Sequence, residues 1–191
     1  MAKTPMTTTS KTTTSATRVR LRELERRDLP QINAWRNDPQ LVALLGGSFR
    51  HVCQAVDEAW YDRYMASRNH NVRLAICTGE EVVGAIYLLD IDWQHRNAEL
   101  AIWIGEANAR GNGIGRQAVK AMLDHAFGDL NLERVYLSVL TDNKRAVALY
   151  HSCSFSTEGV QRRATFKQGR WRDLLLMSVL NDEHLQGITH P

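Results

Sequence analysis

Apolar positions along the chain change their period several times, and each change marks an element. Val19 and Leu21 alternate with arginines, so residues 18–24 predict a first strand. Asp28 supplies a helix cap, and Pro30 sits in the first turn, where its missing N–H costs nothing; the helix runs through Trp35. Trp35-Arg-Asn-Asp-Pro39 ends it, because the residue before a proline avoids the helical region. Residues 51–67 predict a second helix that buries Val52, Val56, Trp60 and Tyr64. Residues 72–77 and 82–89 read as a hairpin around Gly79, followed by a polar loop over 90–97. Residues 98–105 are a continuous apolar strand interrupted by Glu99 alone. From 114 to 127, Ile114, Ala118, Met122 and Ala126 recur at helical spacing, with Val119, Leu123 and Phe127 alongside. Residues 135–140 are a strand by their branched and aromatic content, and Gly169 turns a last hairpin between 159–166 and 171–180. The order strand, helix, parallel strand over 98–140 requires a right-handed crossover. The sum is an α/β domain on a mixed sheet of six or seven strands.

Composition narrows the class. A chain of 191 residues with 43% hydrophobic content fits one domain with a proper core, spanning 18–182. Its net charge of +3 is spread rather than striped, which gives no case for nucleic acid. Cys53, Cys77 and Cys153 have neither disulfide nor zinc spacing, so the expected compartment is the reducing cytoplasm. No apolar run approaches membrane-span length, and no metal site is expected. Residues 1–17, rich in Thr, Ser and Lys, read as a disordered tail, and 183–191 as a C-terminal tail.

Between the strand at 98–105 and the helix at 114–127 lies Arg110-Gly111-Asn112-Gly113-Ile114-Gly115-Arg116. Alternate glycines let the backbone turn tightly into a helix whose first N–H groups face outward, an arrangement suited to phosphate. Arg110 and Arg116 bracket it with permanent charge. No Lys follows Gly115, which excludes an ATP-type P-loop, and the glycine spacing does not fit the dinucleotide fingerprint. Arg110-x-x-Gly113-x-Gly115 resembles the pyrophosphate-binding signature of the GNAT acetyltransferases. Asn143-Lys-Arg-Ala-Val-Ala-Leu-Tyr150, running on to Phe155, is similar to a second motif of that superfamily. Thr157-Glu-Gly159 and Gly169-Arg-Trp-Arg-Asp173 look like its RimJ/RimL-like subgroup, which holds ribosomal-protein N-terminal, spermidine and amino-sugar acetyltransferases.

The resemblance spans roughly residues 19–180 and implies a mostly antiparallel sheet with a central parallel pair and about four helices. It implies acetyl-CoA as co-substrate, held by the loop from Arg110 to Arg116, by main-chain groups around Ile102, Trp103 and Ile104, and by Asn143 and Arg145. It further implies two strands that splay apart beside the thioester.

Acetyl transfer to an amine needs a base, since an alkylamine of pKa about 10 is only roughly 0.1% neutral at pH 7. Glu99 is the candidate, against the alternative that it pairs with Arg96; His95 is the second candidate. Tyr150 matches the motif tyrosine that protonates the leaving thiolate, against the alternative of a core aromatic. Asn143 reads equally as a helix cap. Cys153 as an acyl-carrying nucleophile is disfavoured, because His151 two residues away cannot face it on a helix. Ser154 stands where the family has glycine, so a left-handed cap there costs on the order of 1 kcal/mol. Trp35, Asn37, Asp90 and Asp92 are the candidate substrate contacts. The acceptor class that follows is a small-molecule amine, a polyamine or an amino sugar. The alternatives are a protein N-terminus, such as that of a ribosomal protein, or a coenzyme-A-binding regulator without turnover. A homodimer stays open.

Overall fold

The computed structural model describes residues 18–189; the expected tail over 1–17 lies outside them. Strand β1 (Val19–Glu23) leads into α1 (Leu29–Arg36), α2 (Pro39–Val42) and α3 (Gln54–Ala66). β2 (Val72–Thr78), β3 (Glu81–Asp92) and β4 (Asn97–Ile104) follow as antiparallel neighbours. Next come α4 (Ile114–Asp124), β5 (Arg134–Leu140), α5 (Lys144–His151), the hairpin β6 (Ser156–Lys167) and β7 (Arg170–Leu180), and α6 (Asn181–Thr189). They build one seven-stranded sheet in the order β1-β2-β3-β4-β5-β7-β6, antiparallel throughout except for β4 with β5.

That parallel pair is short. β4 and β5 meet at Asn97–Arg134, Ala98–Val135 and Glu99–Tyr136, and then share no further rung, although both strands continue. From Leu100 and Leu137 onward the sheet is open along its middle.

Two cores cover the faces. Ile114, Ala118, Val119, Met122 and Leu123 of α4 pack with Ile86, Leu88, Leu100, Leu137 and Tyr150 on one side. On the other, Ile32 and Trp35 of α1 and Tyr61 and Tyr64 of α3 pack with Ala75, Ala85 and Tyr87.

Some expected elements shift. α3 turns Asp57, Tyr61 and Tyr64 inward and leaves Val56 48% exposed. The cause is Asp57, fully buried, which accepts from Asn33 Nδ2 at 2.6 Å and pairs with Arg36; a satisfied buried carboxylate outweighs one valine. Pro39 does not only stop α1. Asp38 accepts from Gln40 N at 2.8 Å and opens α2 with Pro39 in its first turn. The expected loop over 90–97 is only a turn at 93–96, with residues 90–92 still in β3 and Asn97 already in β4. α4 ends at Asp124 and continues as a π-helical turn, His125–Asp129, that still buries Ala126 and Phe127. Of the expected C-terminal tail over 183–191, residues 183–189 lie in α6, fastened where His184 Nε2 stands 2.8 Å from Asp124 Oδ1, and 190–191 lie outside the described residues. Ser154 takes the left-handed cap at φ +68°.

Candidate active site

The open seam between β4 and β5 sets the geometry. Gly105 N donates to Val83 O at 2.9 Å, so the odd-numbered residues of β4 bond to β3. By alternation, the main-chain groups of Leu100, Ile102 and Ile104 face the opening. Side chains alternate too: Ala101 and Trp103 lie on the α1/α3 face, as does Glu99 by the same period.

Beyond the end of β4 the chain turns into α4. Gly111 at φ +87° and Gly113 at φ +76° occupy backbone that favours glycine. A Cβ on Gly113 would meet nothing within 4 Å, so the mouth of the turn is open. The first helical bond runs from Gln117 N to Gly113 O at 3.1 Å, leaving the amides of Ile114, Gly115 and Arg116 without an acceptor in the helix. Residues 111–113 and Arg116 are exposed, and Ile114 anchors the turn in the core. Gly115 has a separate reason to be small, since a Cβ there would approach Leu149 Cδ1 of α5 to 2.9 Å. Arg145 lies across the loop, with Nη2 2.1 Å from where a Gly111 Cβ would be. An open nest of amides with the Arg145 guanidinium across it and the exposed Arg116 in its first turn fits a diphosphate.

Other predicted cofactor residues are engaged differently. Arg110 does not face the mouth: its Nε donates to Ile104 O at 2.9 Å and its Nη2 to Gly105 O at 2.6 Å, fixing the loop to the strand end. Asn112 Nδ2 ties the loop to Asn108 O at 2.9 Å. Asn143 caps α5 by accepting from Ala146 N at 3.2 Å, and its Nδ2 donates to Leu44 O at 3.0 Å.

Glu99 is half-buried on the last shared rung, opposite Tyr136. Burial first, and then the negative charge of Asp90, push its carboxyl above the usual range. It does not pair with Arg96, whose guanidinium goes to Asn131 O at 2.7 Å and to Glu133 at 3.5 Å. His95 stands in the exposed turn with Nδ1 2.8 Å from Asp92 Oδ2, away from the seam. Tyr150 is 7% exposed, its ring 5.6 Å from that of Phe155, and its hydroxyl has no hydrogen-bond partner among the described residues. Burial, and secondarily Cys153, raise its pKa, so the phenol holds its proton. The Cys153 thiol is also pushed up by burial, and His151 Nδ1 bonds Phe155 O at 3.0 Å instead of serving it.

The predicted substrate contacts are largely structural. Trp35 is 5% exposed and donates to Glu106 Oε1 at 3.1 Å. Asn37 spends its amide on Val52, accepting from N at 2.9 Å and donating to O at 2.8 Å. Asp92 accepts from Gln94 N and His95 N, at 2.9 and 2.8 Å, and shapes the turn. Asp90 alone remains exposed and uncommitted, near Glu99. A surface hollow of about 490 Å³ at His70, Asp90 and Trp93 adjoins it. Arg73 and Tyr87, paired across β2 and β3, lie on this face as well, and Arg73 interrupts an apolar run as Glu99 does.

Residues 18–156 match the acetyltransferase (GNAT) domain family. Over 167 residues the chain is 30% identical to the spermidine N(1)-acetyltransferase of Vibrio cholerae serotype O1, covering 86% of this chain and 94% of that one. Over 173 residues it is 30% identical to the spermidine N(1)-acetyltransferase of Escherichia coli K12, covering 90% of each. The crystal structure of the Vibrio cholerae spermidine N-acetyltransferase in complex with CoA and spermine matches with a TM-score of 0.83 at 30% identity, over 87% of this chain and 98% of that one. Cradle, seam and relatives agree: the chain belongs to the GNAT acetyltransferases and is an acetyl-CoA-dependent N-acetyltransferase.

Proposed function

We propose that this enzyme acetylates the primary amine of a small molecule, a polyamine or an amino sugar. The observation that carries it is Glu99: a half-buried carboxylate of raised pKa, with no cation paired to it among the described residues, at the point where the seam opens. Spermidine as the named substrate of similar proteins supports the polyamine arm. Three free cysteines and bacterial relatives support a cytoplasmic setting.

Acetyl-CoA brings an acyl group already activated as a thioester. The amides of residues 114–116, with Arg116 and Arg145, hold its diphosphate, and the main chain of Leu100, Ile102 and Ile104 lines the seam for its arm. Arg110 positions that lining through the Ile104 and Gly105 carbonyls. Glu99 takes a proton from the ammonium, directly or through water, and Asp90 draws the cation in. The neutral nitrogen then bonds to the thioester carbonyl carbon; as the C–S bond breaks, Tyr150, held protonated, gives its proton to the departing sulfur and regains, through water, the proton that the acylated nitrogen sheds.

Thiol release from acetyl-CoA with spermidine, amino sugars and peptides starting with Ala or Ser tests the reading. Turnover of a small amine supports it. Turnover of peptides alone moves the activity to protein N-termini, and silence with tight coenzyme binding leaves a regulator.

Glu99→Gln is expected to lower kcat/KM for the amine about 100-fold and to remove the acid limb of the pH profile, which in the native enzyme lies above the ordinary carboxylate range. Because the folded state holds this proton more tightly than the unfolded state, ionisation costs stability as pH rises through the raised pKa. Glu99→Gln is therefore more heat-stable than the native protein at neutral pH, with the gap closing in acid. Unchanged kcat/KM removes Glu99 from the mechanism.

A further inference from the structure

On the α1/α3 face of the sheet, Arg73 Nε, Tyr87 Oη and Trp103 Nε1 are buried without a hydrogen-bond partner. Register gathers them. Arg73 pairs with Tyr87 across β2 and β3, Tyr87 pairs with Ala101 across β3 and β4, and Trp103 follows two residues on. The Tyr87 and Trp103 rings meet edge to face at 4.9 Å, and Arg73 Cζ lies 5.0 Å from the Tyr87 ring and 4.6 Å from that of Trp60.

Each orphaned group carries a desolvation cost that a purely structural face would avoid. Tyr87 is only 3% exposed. No carboxylate among the described residues forms an ion pair with Arg73: Asp90 acts on it only as a charge at a distance, and Asp57, on the same side, is taken by Arg36 and Asn33. Arg and Trp can only donate, and Tyr can donate. Three donors without an acceptor are complementary to oxygen lone pairs. The cluster also adjoins the chemistry. Leu89 pairs with Glu99, so Tyr87 is its diagonal neighbour, about 7–8 Å away between backbones. Between them Ala101 offers only a methyl group, at the edge of the seam.

We propose that Arg73, Tyr87 and Trp103 form an acceptor subsite for a hydroxyl or carboxylate oxygen of the amine substrate, so that oxygen-bearing amines are preferred to bare polyamines. This rests on the acetyl-transfer reading and narrows its acceptor. A second ammonium in this place would set donors against donors beside a fixed guanidinium.

The test is a three-carbon series that differs only at its far end: propylamine, 3-aminopropan-1-ol, 3-aminopropanoate and 1,3-diaminopropane. In the native enzyme, kcat/KM for the alcohol or the carboxylate is expected to exceed that for the diamine at least tenfold. Whichever leads tells a neutral oxygen from an anionic one. In Tyr87→Phe the ratio of that compound to propylamine falls about tenfold, as it does when a site built to bond an oxygen loses a donor. A native preference for the diamine, or a ratio unmoved by Tyr87→Phe, overturns the proposal and leaves the cluster to ordered water. Should no amine release thiol, the acetyl-transfer reading fails separately, and calorimetry of the same four compounds on the coenzyme-A-loaded protein decides the subsite by the same ranking. Tyr87→Phe keeps the ring and loses an unpartnered hydroxyl, so its Tm without acceptor stays equal or rises; Trp103→Phe gives a second variant with the same ratio as readout.

Discussion

Tyr150→Phe is expected to lower kcat about 100-fold while the dissociation constant for coenzyme A changes less than threefold. The phenol lies in the core and has no hydrogen-bond partner among the described residues, so removing its oxygen strands none of them. Its raised pKa keeps it protonated through the neutral range, the form a leaving thiolate needs. The ring still packs on Phe155, so the fold tolerates the change. Turnover with the amine and calorimetric titration with coenzyme A separate the two effects. A variant as active as the native enzyme would leave Tyr150 a core aromatic.

Gly105→Ala is expected to destabilise the protein by about 3 kcal/mol, at the upper end of overpacking. The new methyl would stand 2.1 Å from two carbons of the Trp35 indole. That ring cannot step aside cheaply, being 5% exposed and bonded through its N–H to Glu106, which also accepts from Gln31 Nε2 at 2.7 Å. Denaturant unfolding reads the loss directly, and a shift below 1 kcal/mol would mean that α1 slides freely over the end of β4. Arg110 grips the Gly105 carbonyl, so the same displacement reaches the cofactor loop.

Much of this architecture was legible because it is written locally. The apolar run of β4, the glycines before α4 and the stripe along α4 each depend on neighbours a few residues away. What the sequence hid is decided at a distance. Val56 looks like core until Asp57 finds Arg36 on another helix. Trp35 and Asn37 look like binding residues because they are aromatic and polar within a motif. Their partners, Glu106 and Val52, stand far along the chain and convert them into struts. Arg110 carries the charge expected of a phosphate ligand, but main-chain oxygens at the strand end claim it first. Asp90 and Glu99 lie near enough for one charge to act on the other, and Arg73 is within electrostatic reach of Asp90 without forming an ion pair with it. Arg73, Tyr87 and Trp103 come together only through strand register, which no single window of sequence displays.

Three rungs are all that stitch β1–β4 to β5–β7 along the middle of the sheet. A nucleotide thioester held in the seam as proposed would work as mortar as well as reagent, bridging two half-sheets that otherwise lean on their helices. Melting temperature should climb with coenzyme concentration as mass action dictates, and amide exchange along the inner margins of both halves should slow together.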